Sequence, residues 1–437
     1  MRTARSLGVL GLLALVAPVN LAVTGLVLAR RSVAAPTRKR AADPLTVLVS
    51  GGKMTKALQL CRSFHDAGHR VVLVESGKYR WTGHRFSRAV DRFHVVPDVR
   101  ADDYAQALLA IVEAEGVDVY VPVCSPAASL HDARAKAVLS PYCDVFHLEP
   151  EQVEMLDDKF AFARAAAALG LSVPDTHHIT DARQVLDFDF TRSRRPYILK
   201  SIAYDPVHRL DLTRLPLDRA GDMEAFVRSR PISPDNPWIL QEFVAGQEYC
   251  THSTVREGRL RVYVCCESSA FQINYEMVDK PQIRAWVQRF VSAEGLTGQV
   301  SFDFIEADDD GQVYAIECNP RTHSAITMLY DHPGVADAYL AGGDADRVGV
   351  VVPTAASRPT YWIYHEVWRL LRGPSRVARL RTILAGKDAI FDRSDPLPFL
   401  MTHHVAIPWL LLQKLRAHGD WIRVDFNIGK LVEPAGD

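Results

Sequence analysis

The chain has 437 residues, enough for roughly two to four domains of ordinary size. Its 51 lysines and arginines are balanced by 52 aspartates and glutamates, which argues against a nucleic-acid-binding protein, and its 48% of apolar residues argues against a disordered chain. The seven cysteines form no C-x-x-C pair, so neither a disulfide framework nor a zinc site is indicated, and a reduced environment is expected.

The N-terminal segment is strongly apolar. Residues 7–28 contain no charged side chain, and a helix of that length, rising about 1.5 Å per residue, crosses a bilayer core of about 30 Å. Two basic residues precede the segment and five follow it, which places the rest of the chain in the cytoplasm. We therefore expect residues 1–44 to form a lipid-bound anchor and a basic tether. The alternatives are a cleaved signal peptide ending near 32–34, or a re-entrant or interfacial segment, since Pro18 and Asn20 interrupt the apolar run.

Residues 45–148 alternate short apolar runs with helical patterns. A run at 45–49 ends in the sequence SGG, and apolar residues then recur with helical spacing up to Phe64. This alternation predicts a Rossmann-like parallel sheet with helices on both faces. The glycine pair has the spacing neither of a P-loop nor of G-x-G-x-x-G, so a tight turn between strand and helix is the preferred interpretation.

The pattern changes after this domain. A long helix is predicted over 151–169 and another over 281–293. Strand-like runs lie between and after them, at 197–200, 238–244, 249–256, 260–266, 300–306 and 313–319. Strands grouped apart from helices indicate an α+β domain, which we bound at 149–345. The remaining residues, 346–437, contain no motif of known chemistry, and the apolar run 405–412 suits either a core helix or a second membrane contact.

The most specific local pattern is a hairpin signal. Two alternating strands flank a DDDG turn at 308–311. Positions 303 and 317 are equidistant from that turn, so Asp303 and Glu317 should face each other on antiparallel strands, with Asn319 on the same face. Two carboxylates and an amide oxygen suit Mg²⁺, which also binds the phosphates of a nucleotide. The alternative is an ordinary solvent-exposed hairpin face.

Two lysines and an acidic hinge precede the hairpin. Lys200 ends a buried strand, where a point charge suited to phosphate is less expected than on a helix. Lys159 follows two aspartates on a predicted helix, where a solvated lysine is the simpler interpretation. The segment 241–248 joins two strands and can offer backbone groups to a purine, and Glu248 can accept hydrogen bonds from ribose hydroxyls. A plain turn is the alternative for that segment.

The order of these parts resembles the ATP-grasp ligase superfamily. Two lysines about 40 residues apart, an acidic hinge about 40 further on and then Asp…Glu-x-Asn-Pro-Arg cover about 150–340, and 45–148 resembles the domain that precedes this fold. The resemblance implies an ATP-grasp fold, ATP as substrate and two bound Mg²⁺ ions, with Mn²⁺ as a substitute. The resemblance also implies a role for each candidate residue. Lys159 and Lys200 would hold the ATP phosphates, while Glu242, Phe243 and Val244 would contact adenine and Glu248 the ribose. Asp303, Glu317 and Asn319 would bind the metal ions, and Arg321 would steady the phosphoryl group during its transfer.

One departure from that superfamily concerns the phosphate lid. Many members follow the second lysine with a glycine-rich loop, whereas residues 201–210 read SIAYDPVHRL and contain no glycine. Side chains such as His208 or Arg209 are therefore expected to take the place of the glycine-rich backbone.

A narrower resemblance runs from about residue 45 to the C-terminus. The stretches that carry it are LVSGGKMTKALQL, GHRFS, VDVYVPVCSP, MLDDKFAF, CTHSTVR, SSAFQINYE, AIECNPRTHSAITM and DFNIGKLVE. They look like the mycosporine-glycine synthase family of ATP-grasp ligases, which implies that 4-deoxygadusol is phosphorylated and joined to glycine. His323 and Ser324, beside the metal motif, are candidate substrate contacts. Two alternatives remain: a carboxylate–amine ligase of the dipeptide type with another acceptor, and a nucleotide-binding protein without catalysis, which the complete metal-ligand set disfavours.

Overall fold

The computed structural model describes residues 2–33, 41–203, 208, 211–268, 274–340, 349–373, 376–425 and 429–433. Within these residues the α-helices are α1 Arg2–Val33, α2 Thr55–Asp66, α3 Tyr104–Glu115, α4 Ser129–Leu139, α5 Pro150–Asp157, α6 Lys159–Ala168, α7 Ala182–Leu186, α8 Ala220–Arg228, α9 Pro281–Ala293, α10 Val335–Leu340, α11 Ile363–Arg372, α12 Arg376–Ala385, α13 Leu397–Met401 and α14 Ile407–Arg416. A π-helical turn, Thr402–Ala406, joins α13 to α14, and a 3-10 helix spans Ser324–Leu329.

The strands alternate with these helices in the first part of the chain and are grouped in the second. They are β1 Thr46–Val49, β2 Arg70–Ser76, β3 Arg92–Val96, β4 Val119–Val121, β5 Asp144–Val145, β6 Thr176–Ile179, β7 Tyr197–Ser201, β8 Trp238–Glu242, β9 Gly246–Arg256, β10 Arg259–Glu267, β11 Asn274–Tyr275, β12 Gly298–Ala307, β13 Val313–Asn319, β14 Thr360–Tyr361, β15 Lys387–Asp388, β16 Arg423–Asp425 and β17 Lys430–Val432.

The first sheet is parallel, in the order β3-β2-β1-β4-β5. Successive residues of β1 enter different cores: Val47 and Val49 pack with α2, whereas Leu48 packs with α3 and α4. Because side chains alternate along a strand, this division means that helices cover both faces of the sheet. The predicted Rossmann-like sheet is confirmed.

The turn after β1 requires glycine. Gly51 has φ +68°, and a Cβ atom at this position would lie 2.1 Å from the backbone oxygen of Val123. The Gly51 carbonyl accepts a hydrogen bond from the Met54 backbone N–H at 2.8 Å, just before α2 begins. Glycine alone adopts this conformation without steric cost, so the predicted tight turn between strand and helix is confirmed.

Two antiparallel sheets follow. The smaller has the order β6-β8-β7 and the larger β10-β9-β12-β13. The larger sheet buries Phe302 and Phe304 against Trp286 and Phe290 of α9. The predicted α+β arrangement is confirmed, with α9 at its predicted bounds.

The prediction of one continuous helix over 151–169 was wrong. The structure has two helices, α5 and α6, separated at Asp158, whose backbone leaves the helical region with ψ 110°. The Asp158 carboxylate accepts hydrogen bonds from the backbone N–H groups of Phe160 (2.8 Å) and Ala161 (2.9 Å). An aspartate that caps a new helix competes with continuation of the old one, which is the physical reason for the break.

The C-terminal region packs on the first sheet rather than standing apart. Trp362 donates from its indole nitrogen to Thr55 of α2 (3.2 Å), and the Arg62 guanidinium forms a buried ion pair with Asp395 (2.9 Å). Of the apolar run 405–412, Ile407 and Leu411 are fully buried, so one side of this helix is core, whereas Leu412 is 43% exposed. The domain limits 149–345 and 346–437 remain predictions, since one hydrophobic core includes residues from all three predicted domains.

Candidate functional site

Asp303 and Glu317 form the centre of the candidate site. They are register partners on β12 and β13, as the turn spacing predicted, and Asn319 pairs with Ser301 two positions along. The register then shifts between Asp303 and Phe304, so that the extra residue Ile316 forms a β-bulge. Bulges bend a strand and re-aim its side chains, and they are frequent beside active sites.

The two carboxylates share one electrostatic environment. Burial and repulsion from Glu317 raise the pKa of Asp303 well above its ordinary value. Burial also opposes ionisation of Glu317, but the charges of Lys159 and Lys200, joined by Arg321, hold its pKa below the ordinary value. A charged carboxylate therefore lies among three cations, with a second carboxyl group facing it.

The two predicted phosphate-binding lysines lie beside this pair. Lys200 on β7 donates from Nζ to Gln241 Oε1 on β8 (3.1 Å), and burial lowers its pKa although Glu317 acts against the shift. Lys159 is the first residue of α6 and donates from Nζ to the Ile202 carbonyl (3.3 Å). Two neighbouring cations held by neutral acceptors form a site that favours an anion.

Arg321 lies at the end of the metal-ligand motif. Its guanidinium donates to Asn319 Oδ1, and its Nη1 lies 3.6 Å from the Asp157 carboxylate without a hydrogen bond to it. The Asn319 amide nitrogen donates in turn to Asp303 Oδ2 (3.2 Å). The amide oxygen of Asn319 therefore already accepts one hydrogen bond from Arg321, and its second lone pair is what it can offer to a metal.

The predicted adenine hinge follows β8. The backbone N–H groups of Glu242 and Phe243 donate to Asp175 (2.8 Å) and Pro196 (2.7 Å), so both are used within the protein. The Glu242 side chain is also bonded, to Ser193 and Arg195. Val244 is buried and supplies an apolar wall.

Glu248 lies two residues beyond the start of β9. Its half-buried carboxyl group is 3.5 Å from the Ser268 hydroxyl, and burial raises its pKa. It acts on Lys200 through its charge, which places it in the same site as the lysines. Of the predicted lid side chains, the ring of His208 lies 5.7 Å from that of Trp238, whereas Arg209 falls outside the described residues.

His323 and Ser324 begin the 3-10 helix and have structural contacts. His323 accepts at Nδ1 from the Ala325 backbone N–H (3.2 Å), which caps the helix, and its ring packs edge-on against Tyr275 at 5.2 Å. Ser324 is buried and interacts with Tyr275. Their predicted contact with substrate stays a prediction.

Arg195 is a residue that sequence reasoning missed. It donates from Nε to Asp309 Oδ2 (2.7 Å) and from Nη2 to Asp310 Oδ2 (2.9 Å), and its Nη1 lies 3.5 Å from Glu242. It therefore ties the hairpin turn to the end of β8, so that the hinge and the metal pair are held together. In the sequence the acidic turn indicated a hairpin, but nothing indicated that Arg195 would be its partner.

Lys56 is a second missed residue. Its Nζ donates to the carbonyls of Thr322 and Cys124, the latter at 3.4 Å, which joins α2 to the chain just after Arg321. Burial lowers its pKa to about 7, and the nearby charge of Arg321 contributes in the same direction. The one signal available in the sequence was a lysine close after the SGG turn.

The donor set fits a magnesium–nucleotide complex. Asp303 and Glu317 are hard oxygen donors, half-buried and directly opposed, an arrangement that a divalent cation stabilises. In the described part of the chain no group of three or more His, Cys, Asp and Glu side chains is arranged to hold a metal alone. Partial coordination by protein, completed by phosphates and water, is typical of Mg²⁺ bound with a nucleotide.

Comparison with known proteins places the fold. No family model matches the chain. The sequence is similar to the C-terminal section of the carbamoyl phosphate synthase large chain of Methanopyrus kandleri, with 19% identity over 211 residues, 44% of this chain. The match spans 37% of that curated relative.

Solved structures match over more of the chain. An N5-carboxyaminoimidazole ribonucleotide synthetase in complex with ADP superposes with a TM-score of 0.54 at 14% identity, covering 74% of this chain and 82% of the other. A biotin carboxylase–ATP complex from Campylobacter jejuni gives 0.53 at 15% identity, covering 69% and 73%. With its two antiparallel sheets preceded by a parallel one, the chain has the ATP-grasp fold.

Proposed function

We propose that this chain is an ATP- and Mg²⁺-dependent ligase that forms a carbon–nitrogen bond and releases ADP and phosphate. One observation carries the proposal: Glu317, opposed by Asp303, lies within the charges of Lys159, Lys200 and Arg321. A protein that only binds a nucleotide does not require an arginine beyond the metal pair. Three cations and two carboxyl groups around one point suit transfer of a phosphoryl group, which depends on position and charge neutralisation.

The residues have distinct roles in this proposal. Asp303 and Glu317 hold magnesium, and Asn319 joins them through the second lone pair of its amide oxygen. The metal supplies neutralisation of the charge on the β- and γ-phosphates. Lys159 and Lys200 bind phosphate oxygens.

The nucleoside end of ATP is bound by the hinge and by β9. The carbonyls of the hinge Glu242–Val244 and the apolar side chain of Val244 meet adenine, and Glu248 meets ribose. These assignments agree with a chain whose ATP-grasp fold is shared by proteins solved as complexes with ADP and ATP.

Arg321 steadies the group that is transferred. Its Nη1 is buried and makes no hydrogen bond in the described part of the protein, so it keeps a donor for an oxygen of the phosphoryl group or its acceptor. Asp157, 3.6 Å away, keeps the guanidinium oriented.

We propose 4-deoxygadusol and glycine as substrates, on the sequence stretches that resemble mycosporine-glycine synthases. The acceptor is an enol conjugated with a ketone. Its enol loses the hydroxyl proton to solvent, the oxygen attacks the γ-phosphorus and ADP departs with the electron pair of the P–O bond, which leaves an enol phosphate. The glycine nitrogen then adds to the activated carbon, phosphate leaves with the C–O electron pair, the amine loses a proton to solvent, and an enaminone remains. No step needs a covalent bond to the protein.

The substrate assignment is tested with the full-length protein in detergent, Mg-ATP, 4-deoxygadusol and a panel of amino acids. Product mass and ADP are measured together. The proposal expects a glycine adduct formed in equal amount with ADP. Adducts only with other carboxylate acceptors, offered in parallel, would instead identify a ligase of the dipeptide type, and ADP formation with no acceptor dependence would contradict ligation.

We also propose that α1 anchors the protein to the cytoplasmic side of a membrane. In the described part of the chain, the helical segment Thr3–Arg30 is long and apolar enough to cross a bilayer. Only 11% of its most apolar stretch is buried against the rest of the protein. The anchor is tested by extraction of the membrane fraction with alkaline carbonate. Full release by carbonate would contradict stable anchoring.

A further inference from the structure

The helices α11 and α12 expose an apolar face to solvent. Its side chains recur at three- and four-residue spacing, as on a helix that packs against a core, yet they are 37–77% exposed. They are Val367, Trp368, Leu371, Val377, Leu380 and Leu384. We call this set the helical-pair face. Apolar side chains so grouped on a folded surface indicate an interaction site.

The pair is held in place from its inner side. Glu366 on α11 is fully buried, and its carboxylate lies 3.5 Å from Arg369 on the same helix and 3.5 Å from Arg379 on α12. Tyr361, just before α11, donates its hydroxyl hydrogen to the Ile383 carbonyl of α12 (3.0 Å). The outward direction of the apolar face is therefore set by contacts on the opposite side of the two helices.

The charge of the pair is strongly positive. The two helices contain five arginines and one glutamate. Arg372, Arg376 and Arg381 are exposed, and the Arg372 guanidinium lies 4.5 Å from the centre of the Trp368 ring. Helices with tryptophan and leucine on one face and arginines around it are typical of segments that lie in the interface of an anionic membrane.

The two helices lie next to α1. Asn20 of α1 donates to the Tyr364 hydroxyl at the start of α11. Val23 of α1 and Ile383 of α12 line the same cavity, of about 670 Å³. The outer side of α1 is apolar and exposed along its length, at Leu7, Leu12, Leu15, Val19, Leu21, Val23 and Leu26.

The first part of α1, from Arg5 to Asn20, touches the folded body. Arg5 donates to the Trp421 carbonyl (3.0 Å) and its guanidinium stacks on that ring at 3.9 Å, whereas Asn20 contacts His404 (2.7 Å). Leu13, between them, is buried against α14. A helix bound to the body at these three points lies along it over that length and leaves its outer face free for lipid.

We propose that α1 and the helical-pair face form one surface that inserts shallowly into an anionic lipid leaflet. A second copy of this chain is the less suitable occupant, since a symmetric contact would bring identical arginine-rich faces together. This inference extends the anchoring by α1 proposed above. The test below measures lipid contact at α12 only. Failure of this inference is therefore distinguishable from failure of the proposed anchoring by α1.

The test attaches a polarity-sensitive fluorophore to α12 of the full chain. All seven native cysteines are buried, so Val377→Cys supplies the accessible thiol. Val95→Cys on β3 is the matched control, because Val95 is an exposed valine, at 49%, on the first sheet. Vesicles of phosphatidylcholine, with and without phosphatidylserine, are added to each labelled protein.

The proposal expects the label at position 377 to become several-fold brighter with phosphatidylserine vesicles and to be quenched by nitroxide on the lipid chains. The label at position 95 should not change. Co-sedimentation of the protein with vesicles while label 377 is unaffected would assign binding to α1 alone and overturn the inference. Equal responses of both labels, or a rise without vesicles that grows with protein concentration, would overturn it in favour of adsorption or self-association.

A charge variant provides the second measurement. Replacement of Arg372, Arg376 and Arg381 by glutamine should weaken binding to anionic vesicles about a hundredfold at low salt, since each basic residue near such a surface contributes to affinity. ADP formation should be unchanged, because none of these residues lies in the ATP site. Unaltered vesicle affinity in this variant would contradict the role of the arginines.

Discussion

Asp303 and Glu317 are register partners on neighbouring antiparallel strands, and the β-bulge at Ile316 begins directly beside them. Between the bulge and the turn, the two strands form a regular hairpin. On the other side of the bulge, toward Asn319, the strands carry the residues of the candidate site. Because two carboxyl groups held face to face repel when both are charged, the pair is stable only with a proton or a cation between them. The site is thus built to accept positive charge with the nucleotide.

The metal assignment predicts that Glu317→Gln nearly abolishes turnover. Loss of one carboxylate removes several kcal/mol of charge stabilisation, so kcat should fall about a thousandfold. Steady-state ADP formation and the circular dichroism spectrum are the measurements. Glu306→Gln is the control, because Glu306 lies on the neighbouring strand β12 of the same sheet but pairs with Lys280 (2.6 Å). Turnover near that of the control would remove the metal assignment.

Lys200→Met should weaken ATP binding. A buried charge-assisted contact to phosphate contributes about 1.5–3 kcal/mol, so the dissociation constant should rise about ten- to a hundredfold. Isothermal titration with a non-hydrolysable ATP analogue measures it. The matched control is Lys414→Met on α14, which removes the ion pair between Lys414 and Glu433 outside the candidate site. An unchanged dissociation constant in Lys200→Met would exclude a phosphate contact.

Lys56 should make stability depend on pH. Its pKa is lowered to about 7 in the folded protein, whereas an unfolded lysine titrates near 10.4. Between these values the unfolded chain binds the extra proton, so stability should rise with pH, by about 3–5 kcal/mol in total.

The check compares urea unfolding of the wild type and Lys56→Met at several pH values from 7 to 10. The wild type should gain stability relative to the variant as the pH rises. Gln59→Met, at a buried position of the same helix that does not titrate, should shift the midpoint equally at every pH. If the free energy of unfolding changed with pH in the same way for the wild type and Lys56→Met, the result would contradict a neutral Lys56 in the folded protein.

Asp395→Asn should destabilise the protein by about 3–5 kcal/mol. Arg62 is 9% exposed, and loss of its partner leaves a buried charge without compensation. Asp395 also accepts hydrogen bonds from Ser87 and Arg88. Asp144→Asn, which breaks a pair with Arg256 at a carboxylate 48% exposed, should cost less than about 1 kcal/mol. Similar losses of thermal stability in both variants would contradict this difference.

The sequence by itself determined the features that rest on periodicity and on local spacing. The spacing of apolar residues determined the parallel sheet and α9. The DDDG turn determined the hairpin and its register to within one residue, because an antiparallel register follows from the position of its turn. The β-bulge at Ile316 supplies the remaining residue that brings Asp303 opposite Glu317. The break at Asp158 was missed, although the aspartate that causes it was visible, because a cap and a helix interior compete locally and the long apolar pattern favoured continuity.

Only the tertiary structure decided which charges meet. Arg195 bonds Asp309, which is 114 residues further along the chain, and also lies beside Glu242. Lys56 of α2 reaches the carbonyl of Thr322, which is 266 residues further along. Arg321 donates to the amide oxygen of Asn319 that the sequence assigned to metal. Such contacts carry no local signal, since a charged side chain is ordinary at a surface and becomes specific only when packing buries it beside a distant partner.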